Sequence, residues 1–202
     1  MDNTDTYHMA EKLMTTFHKQ AYSDFKKVGM PTLSDEDWLY WVPTAYETAL
    51  LTPYDSASDI ITTGDLIVIE NGKLSSTVEK EGLDISVITD VSEFKDCKFH
   101  TDLSSISLLN SAFFTELIVI RCSEVMKDPI TLINTSDFEE KNQSSVVKVL
   151  IICEENASLD LTVKHNHTID SSSVVNVSFE AVFKQRSSGH IQHVFNDNQS
   201  VS

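Results

Sequence analysis

Residues 149–164 read VLIICEENASLDLTVK. The first five form a continuous apolar run, and after a polar segment the chain alternates between apolar and polar side chains from Leu159 to Lys164. Short apolar runs and strict alternation are both typical of β-strands, and an alternating strand has one buried and one wet face. Residues 175–180 (VNVSFE) show the same alternation. This part of the chain therefore predicts successive short strands.

Further strand candidates extend this pattern in both directions. They are 84–89, 117–122, 130–134, 146–153, 159–165, 174–183 and 190–195. From residue 117 onward the candidates start roughly 13 to 16 residues apart, which is an irregular, rung-like spacing. Only Asn71-Gly72 fits a two-residue hairpin turn, and the other connections are wider and poor in glycine. A parallel β-helix (β-solenoid) is favoured over a meander, and a β-sandwich remains an alternative.

The N-terminal region has helical periodicity instead. Met9, Leu13, Phe17, Ala21, Phe25 and Val28 recur every three or four residues and predict one amphipathic helix that stops near Val28, before Gly29 and Pro31. Ser34 can cap a short helix that ends at Pro43. Residues 52–64 read as a linker, and residues 103–114 predict a helix among the strands. The chain therefore divides into an α-helical N-terminal domain (1–60) and a β-helix core domain (61–202).

Charge and glycine content exclude several classes of function. The chain has 202 residues and a formal net charge of −16, which opposes binding to nucleic acid and to anionic membranes. It has only 5 glycines and neither phosphate-binding glycine motif, so a nucleotide enzyme is not expected. The acidic N-terminus does not resemble a signal peptide, and the apolar runs are too short to span a bilayer. A cytoplasmic protein is expected.

Four stretches, in order, resemble the SufB/SufD family of the SUF iron–sulfur cluster assembly system, and SufD in particular. Residues 30–40 (MPTLSDEDWLY) resemble the Pro-Thr-x-x-x-Glu-x-Trp-x-Tyr segment near the start of SufD proteins, and 108–114 (LLNSAFF) its Leu-Asn-Thr-Ala-Phe helix. Residues 118–120 with 129–132 are similar to the entry into its β-helix, and 149–159 to a Leu-Ile-x-x-Glu-x-x-Ala-x-Leu rung. Trp41 departs from the family, which usually has Thr there.

The resemblance implies a non-catalytic scaffold subunit. Such a subunit docks with SufB and the SufC ATPase, and the iron–sulfur cluster belongs to the full complex rather than to this segment. SufD proteins continue beyond the position of Ser202 into a C-terminal helical domain, so the β-helix is expected to be truncated. A β-helix cut after a rung exposes an unpaired edge, and self-association through 174–195 is therefore expected.

A few side chains are open to a chemical interpretation. His165 and His167 would share one face of a strand, as metal ligands do, and support the alternative of a stand-alone protein that binds a metal or small ligand. Without a third ligand nearby, they are expected to be solvent-facing. The three cysteines, Cys97, Cys122 and Cys153, are candidate cluster ligands, but core packing is expected for the last two.

The densest aromatic cluster is formed by Trp38, Tyr40 and Trp41. Packing of the short helix onto the long one is the favoured interpretation, and contact with a partner protein is the alternative. No arrangement of residues typical of an enzyme active site is found in the sequence, so no catalytic activity is expected.

Overall fold

The computed structural model describes residues 15–30, 60–62, 66–91, 104–138, 143–168 and 173–196. Within these ranges the helices are α1 (Thr16–Val28) and α2 (Ser105–Phe113). The strands are β1 (Ile61–Thr62), β2 (Leu66–Glu70), β3 (Lys73–Thr77), β4 (Leu83–Ile88), β5 (Leu117–Cys122), β6 (Ile130–Asp137), β7 (Ser144–Cys153), β8 (Ser158–Thr168), β9 (Val174–Phe183) and β10 (Ser188–Phe195). The prediction of a mainly β chain with an N-terminal helix is confirmed.

Helix α1 has defined signals at both ends. At its start the backbone N–H of Thr15 donates to His18 Nδ1 over 3.3 Å, which satisfies a donor that a helix start leaves free. At its end Gly29 has a φ of 77°, which glycine adopts without steric cost. Phe25 lies on the buried face. The helix stops at Val28, as predicted. The predicted burial of the Val28 side chain is wrong, because this side chain is 50% exposed in the last turn.

The strands form two sheets. In the six-stranded sheet the order is β1-β3-β2-β6-β8-β10, and in the four-stranded sheet it is β4-β5-β7-β9. Among the strands that the structure describes, the pairs β2–β3 and β4–β5 are antiparallel and the other pairs are parallel. From β5 to β10 successive strands alternate between the sheets, and each of β5 to β8 pairs with the second strand after it. The antiparallel pairs therefore precede a regular, all-parallel part.

The register of this parallel part is nearly constant. Leu117 lies opposite Lys148 and Ile130 opposite Leu161, so these two strand pairs have the same separation along the sequence. In the next pairs Ser144 lies opposite Val174 and Ser158 opposite Ser188, and the separation is shorter by a single position. Two strands and two connections thus advance the chain by one strand position in each sheet. The predicted rung-like spacing is confirmed for the strands that the structure describes.

Three connections show why so little glycine is needed. Asn71 and Gly72, with φ of 49° and 90°, make the predicted tight turn between β2 and β3. The corners after β7 and β9 each place one residue in the left-handed region, but these residues are Asn156 and Arg186. Each corner leads from one sheet to the other.

The core has two parts, one on each face of the four-stranded sheet. Apolar side chains of both sheets, among them Ile69, Ile120, Ile151 and Leu161, fill the space between them. On the other face α2 packs against β7 and β9, α1 packs against α2, and apolar side chains of β5 and β7, among them Leu150, belong to the same cluster. The burial of both faces explains why β7 is buried along its whole length. No helix in the described ranges is long and apolar enough to cross a membrane.

Buried polar side chains attach α2 to the sheet beneath it. The Asn110 amide donates to the carbonyl of Val147 over 2.9 Å and to Asn176 Oδ1 over 3.1 Å. Lys148 Nζ, whose side chain is 3% exposed, pairs with Glu180 Oε1 at 2.7 Å. The Asn110 contacts attach the helix to β7 and β9, whereas the ion pair joins these two strands beneath it.

Candidate functional site

Three histidines from two neighbouring strands meet in the structure. His165 and His167 lie on β8, and His193 lies on β10, where it is the register partner of Val163. The prediction that the first two share one face is confirmed, since their ring centroids are 5.9 Å apart. The prediction that they face solvent is wrong. They continue the inward face of β8, so His165 is only 3% exposed and His167 is half-buried.

The rings of this cluster are connected by close contacts. His165 Nε2 lies 2.9 Å from His193 Nδ1, and His165 Nδ1 lies 3.3 Å from Asn134 Nδ2 on the next strand. Phe195 stacks on His165 with a centroid separation of 4.4 Å, and Phe179 meets His193 edge-on at 4.9 Å. The two imidazoles are thus held between a buried amide and two phenyl rings.

A groove of about 640 Å³ opens at the outer edge of β9 beside this cluster. It is lined by Ile106, His165, His167, Val175, Asn176, Val177, Phe179, His193 and Phe195. Within the described residues β9 pairs only with β7, and β10 only with β8, so two of the strands that line the groove are edge strands of their sheets. We call it the histidine groove.

The histidines of the groove are neutral near pH 7. Burial, together with the nearby His193 and His167, lowers the pKa of His165 to about 4. Burial also lowers the pKa values of His167 and His193 from the ordinary value of 6.5. A neutral imidazole carries one free lone pair, so each ring can accept a hydrogen bond or coordinate a cation.

Several buried polar atoms beside the histidine groove have no hydrogen-bond partner. They are Asn134 Oδ1, Ser136 Oγ and His167 Nδ1. Buried polar groups are normally satisfied, so unpaired atoms clustered at one place indicate water or a ligand. Among the described residues no group of three or more His, Cys, Asp or Glu side chains is already arranged to hold a metal ion.

The structure places two of the three cysteines side by side in the core. Cys122 and Cys153 are register partners on β5 and β7, and both are fully buried, as predicted. Burial raises the pKa of both thiols, that of Cys153 to about 11, so both are protonated and poorly reactive at pH 7. Cys97 lies outside the described residues. The interpretation as core side chains fits these environments.

Other candidate residues lie where the structure gives no description. Trp38, Tyr40 and Trp41 are outside the described residues, as is the short helix predicted to carry them. Sequence reasoning also missed His193. A signal for it was present, because Ile191, His193 and Phe195 continue one face of an alternating strand.

Comparison with known proteins adds no family to these observations. No protein-family model matches the chain, and no curated protein matches its sequence. The resemblance to SufD therefore stays a prediction that rests on the quoted motifs.

Proposed function

We propose that the chain forms a parallel β-helix and serves as a SufD-like, non-catalytic scaffold subunit in iron–sulfur cluster assembly, docking with SufB-like and SufC-like subunits. The observation that carries the proposal is the register of β5 to β10. Parallel pairing at a nearly constant sequence separation, in two sheets visited alternately, is what a stack of two-strand coils produces.

The corners between the sheets support stacked coils. Glu154 lies at the corner after β7 and forms two ion pairs. One is with Arg121 at the end of β5, and the other is with Lys184 after β9, whose Nζ is 2.5 Å from the Glu154 carboxylate. The hydrogen bond from Lys184, with that from Arg121, lowers the pKa of Glu154. These three side chains come from three successive positions in one sheet. Equivalent corners therefore lie directly over one another, as they do in a β-helix.

Rigid stacked coils suit assembly better than turnover. Each coil contacts only its neighbours, so the outer surface is long and stiff, and among the described strands β9 and β10 each pair along one edge only. Phe183 and Phe195, on β9 and β10, are 44% and 68% exposed. We propose that these edges accept further strands, either from a second copy of this chain or from a partner subunit.

The iron–sulfur cluster is the cargo of the proposed complex. We assign no cluster ligand in this chain, since the buried, protonated thiols of Cys122 and Cys153 are poor ligands in this state. Trp38, Tyr40 and Trp41 remain proposed contacts with a partner. ATP hydrolysis is assigned to the SufC-like subunit.

Co-purification tests the scaffold. The tagged full-length gene product is co-expressed with untagged SufB-like and SufC-like proteins, and captured material is identified by mass spectrometry. Recovery of both subunits is expected, with less recovery for the variant Trp38→Ala/Trp41→Ala than for the control Lys26→Ala. A folded product that captures neither subunit would contradict the proposal.

Light scattering tests the open edge with the 202-residue chain. Dimers are expected at high concentration, and Phe183→Asp should shift them to monomers because a charge at the edge opposes strand pairing. Val125→Asp is the matched control, because Val125 is 63% exposed but lies at a corner rather than on these edge strands. A monomer at every concentration would refute self-association.

A further inference from the structure

The hydrogen bonds around His165 can be arranged in two ways. When the Asn134 amide donates to His165 Nδ1, the ring proton is on Nε2 and is donated to His193 Nδ1. This arrangement leaves the buried Asn134 Oδ1 without a partner. The oxygen and nitrogen of an amide exchange places by a half-turn of the group, and the oxygen of the reversed amide then accepts a hydrogen bond from the N–H at Nδ1.

The second arrangement presents two lone pairs to one point. With its proton on Nδ1 and donated to Asn134, His165 has a free Nε2 that faces His193 Nδ1 at 2.9 Å. A tetrahedral cation with nitrogen bonds of about 2.0–2.1 Å separates its ligand atoms by about 3.3 Å. To share a cation the two rings have to separate slightly and also tilt, because in the hydrogen-bonded arrangement their nitrogens face each other. Both stay neutral, so no net proton is released.

His167 supplies the third nitrogen. Its ring lies beside that of His165, and its buried Nδ1 has no hydrogen-bond partner. In the described structure the three rings are not yet a finished metal site, so the His167 side chain has to turn toward the pair. Phe179 and Phe195 cover the pair with apolar surface, which limits competition from water.

We propose that the histidine groove binds one divalent transition-metal cation of the zinc class through His165, His193 and His167, with Asn134 as the residue that orients His165. Imidazole nitrogen is a preferred ligand for such cations. A metal-bound histidine usually donates its other ring N–H to an oxygen, and Asn134 Oδ1 takes that role once the amide is reversed. This site stands on its own geometry and does not depend on the proposed scaffold function.

The test is a titration of the tag-free chain, stripped of metal with a chelator, with ZnCl₂ at pH 7.5. Isothermal titration calorimetry is expected to show one Zn²⁺ per chain, and Co²⁺ should give the strong visible absorption of a tetrahedral site. His193→Ala and His167→Ala should each weaken Zn²⁺ binding at least about 10-fold, and Asn134→Ala about 10- to 100-fold. His190→Ala should bind like the original chain, because His190 is exposed on β10 and contacts Asp160 outside the groove.

Two outcomes would overturn the proposal. One is the absence of stoichiometric Zn²⁺ binding by the folded chain. The other is unchanged affinity in both His193→Ala and His167→Ala. Circular dichroism establishes that each variant is folded. If an alanine variant does not fold, His193→Gln replaces it, and the melting temperature of the original chain should rise with Zn²⁺ but not with Mg²⁺.

Discussion

Replacing Asn110 with alanine should destabilise the fold by more than the removal of an exposed side-chain amide would. Asn110 is fully buried in α2 and is the only residue of that helix shown to donate to both β7 and β9 among the described hydrogen bonds. Asn176 in turn donates from its own amide to the carbonyl of Ile106 over 3.2 Å. The two asparagines thus connect the helix to the sheet in both directions.

The expected loss of unfolding free energy follows from the number of N–H groups on the Asn110 amide. The Asn110 amide has two N–H groups for acceptors on Val147 and Asn176, so two hydrogen bonds of about 1 kcal/mol each are lost. The acceptors left behind are buried, and an unsatisfied buried group adds about 1 kcal/mol or more. We expect Asn110→Ala to lower the free energy of unfolding by about 2–4 kcal/mol.

Urea unfolding followed by circular dichroism measures this loss. The midpoint should fall while the dependence on urea concentration stays constant, because the area exposed on unfolding hardly changes. The control is Gln20→Ala, which removes an exposed amide that donates to Asp24 on α1 and should cost at most about 0.5 kcal/mol. The double variant Asn110→Ala/Asn176→Ala should lose less than the sum of the single variants, since the two share one contact. A loss below about 0.5 kcal/mol for Asn110→Ala, or strict additivity in the double variant, would refute this account of how α2 is attached.

Three further substitutions test other local arguments. Burial lowers the pKa of His18 below 6.5. The contribution of neutral His18 to stability is therefore complete above pH 6.5 and is lost as the pH falls through the pKa of the folded state. The variant His18→Gln keeps the capping contact, and it should lose less stability than the original chain between pH 7.5 and 5.5. Glu180→Gln should cost about 1–3 kcal/mol because it leaves the buried Lys148 ammonium without its countercharge. Gly82→Ala should cost more than Gly29→Ala: both have a φ of 77°, but only at Gly82 would the new Cβ lie 2.7 Å from a neighbouring side-chain carbon.

Each of these is measured by chemical unfolding, and each has a result that counts against it. Parallel pH profiles for His18→Gln and the original chain would show that His18 is not the titrating group. For the ion pair, the double variant Lys148→Met/Glu180→Leu should recover most of the loss, and no recovery would show that the charge is not the cause. Equal losses at Gly82 and Gly29 would show that the close contact relaxes freely.

The strands were predictable because their signals are local. Alternation in 159–164 and the apolar run at 149–153 depend on neighbouring residues alone, and both become strands. The same is true of the helix stop at Gly29. The burial of His165 could also be predicted from the alternation of side chains along the strand, because His165 lies on the same face as Leu159, Leu161 and Val163. The lack of a third ligand nearby in the sequence led to the opposite expectation.

The site was not predictable because it depends on register. His193 joins His165 only when β10 pairs with β8 in the register that sets it opposite Val163, and Cys122 meets Cys153 only through the register of β5 and β7. No local pattern specifies such a register. It is selected by the fit of the apolar faces of both sheets along several strand pairs.

The stacking of coils is the claim on which the scaffold depends, and a disulfide between register partners tests it most directly. Asp160 and His190 are exposed partners on β8 and β10, where neighbouring strands bring Cα atoms to about 4.8 Å, within disulfide range. We predict that Asp160→Cys/His190→Cys forms this crosslink under mild oxidation, as identified by peptide mapping, in the folded chain. The displaced pair Asp160→Cys/Gln192→Cys, with Cα atoms roughly 8 Å apart, should not. Crosslinking of the displaced pair in preference to the register pair would contradict the coil architecture.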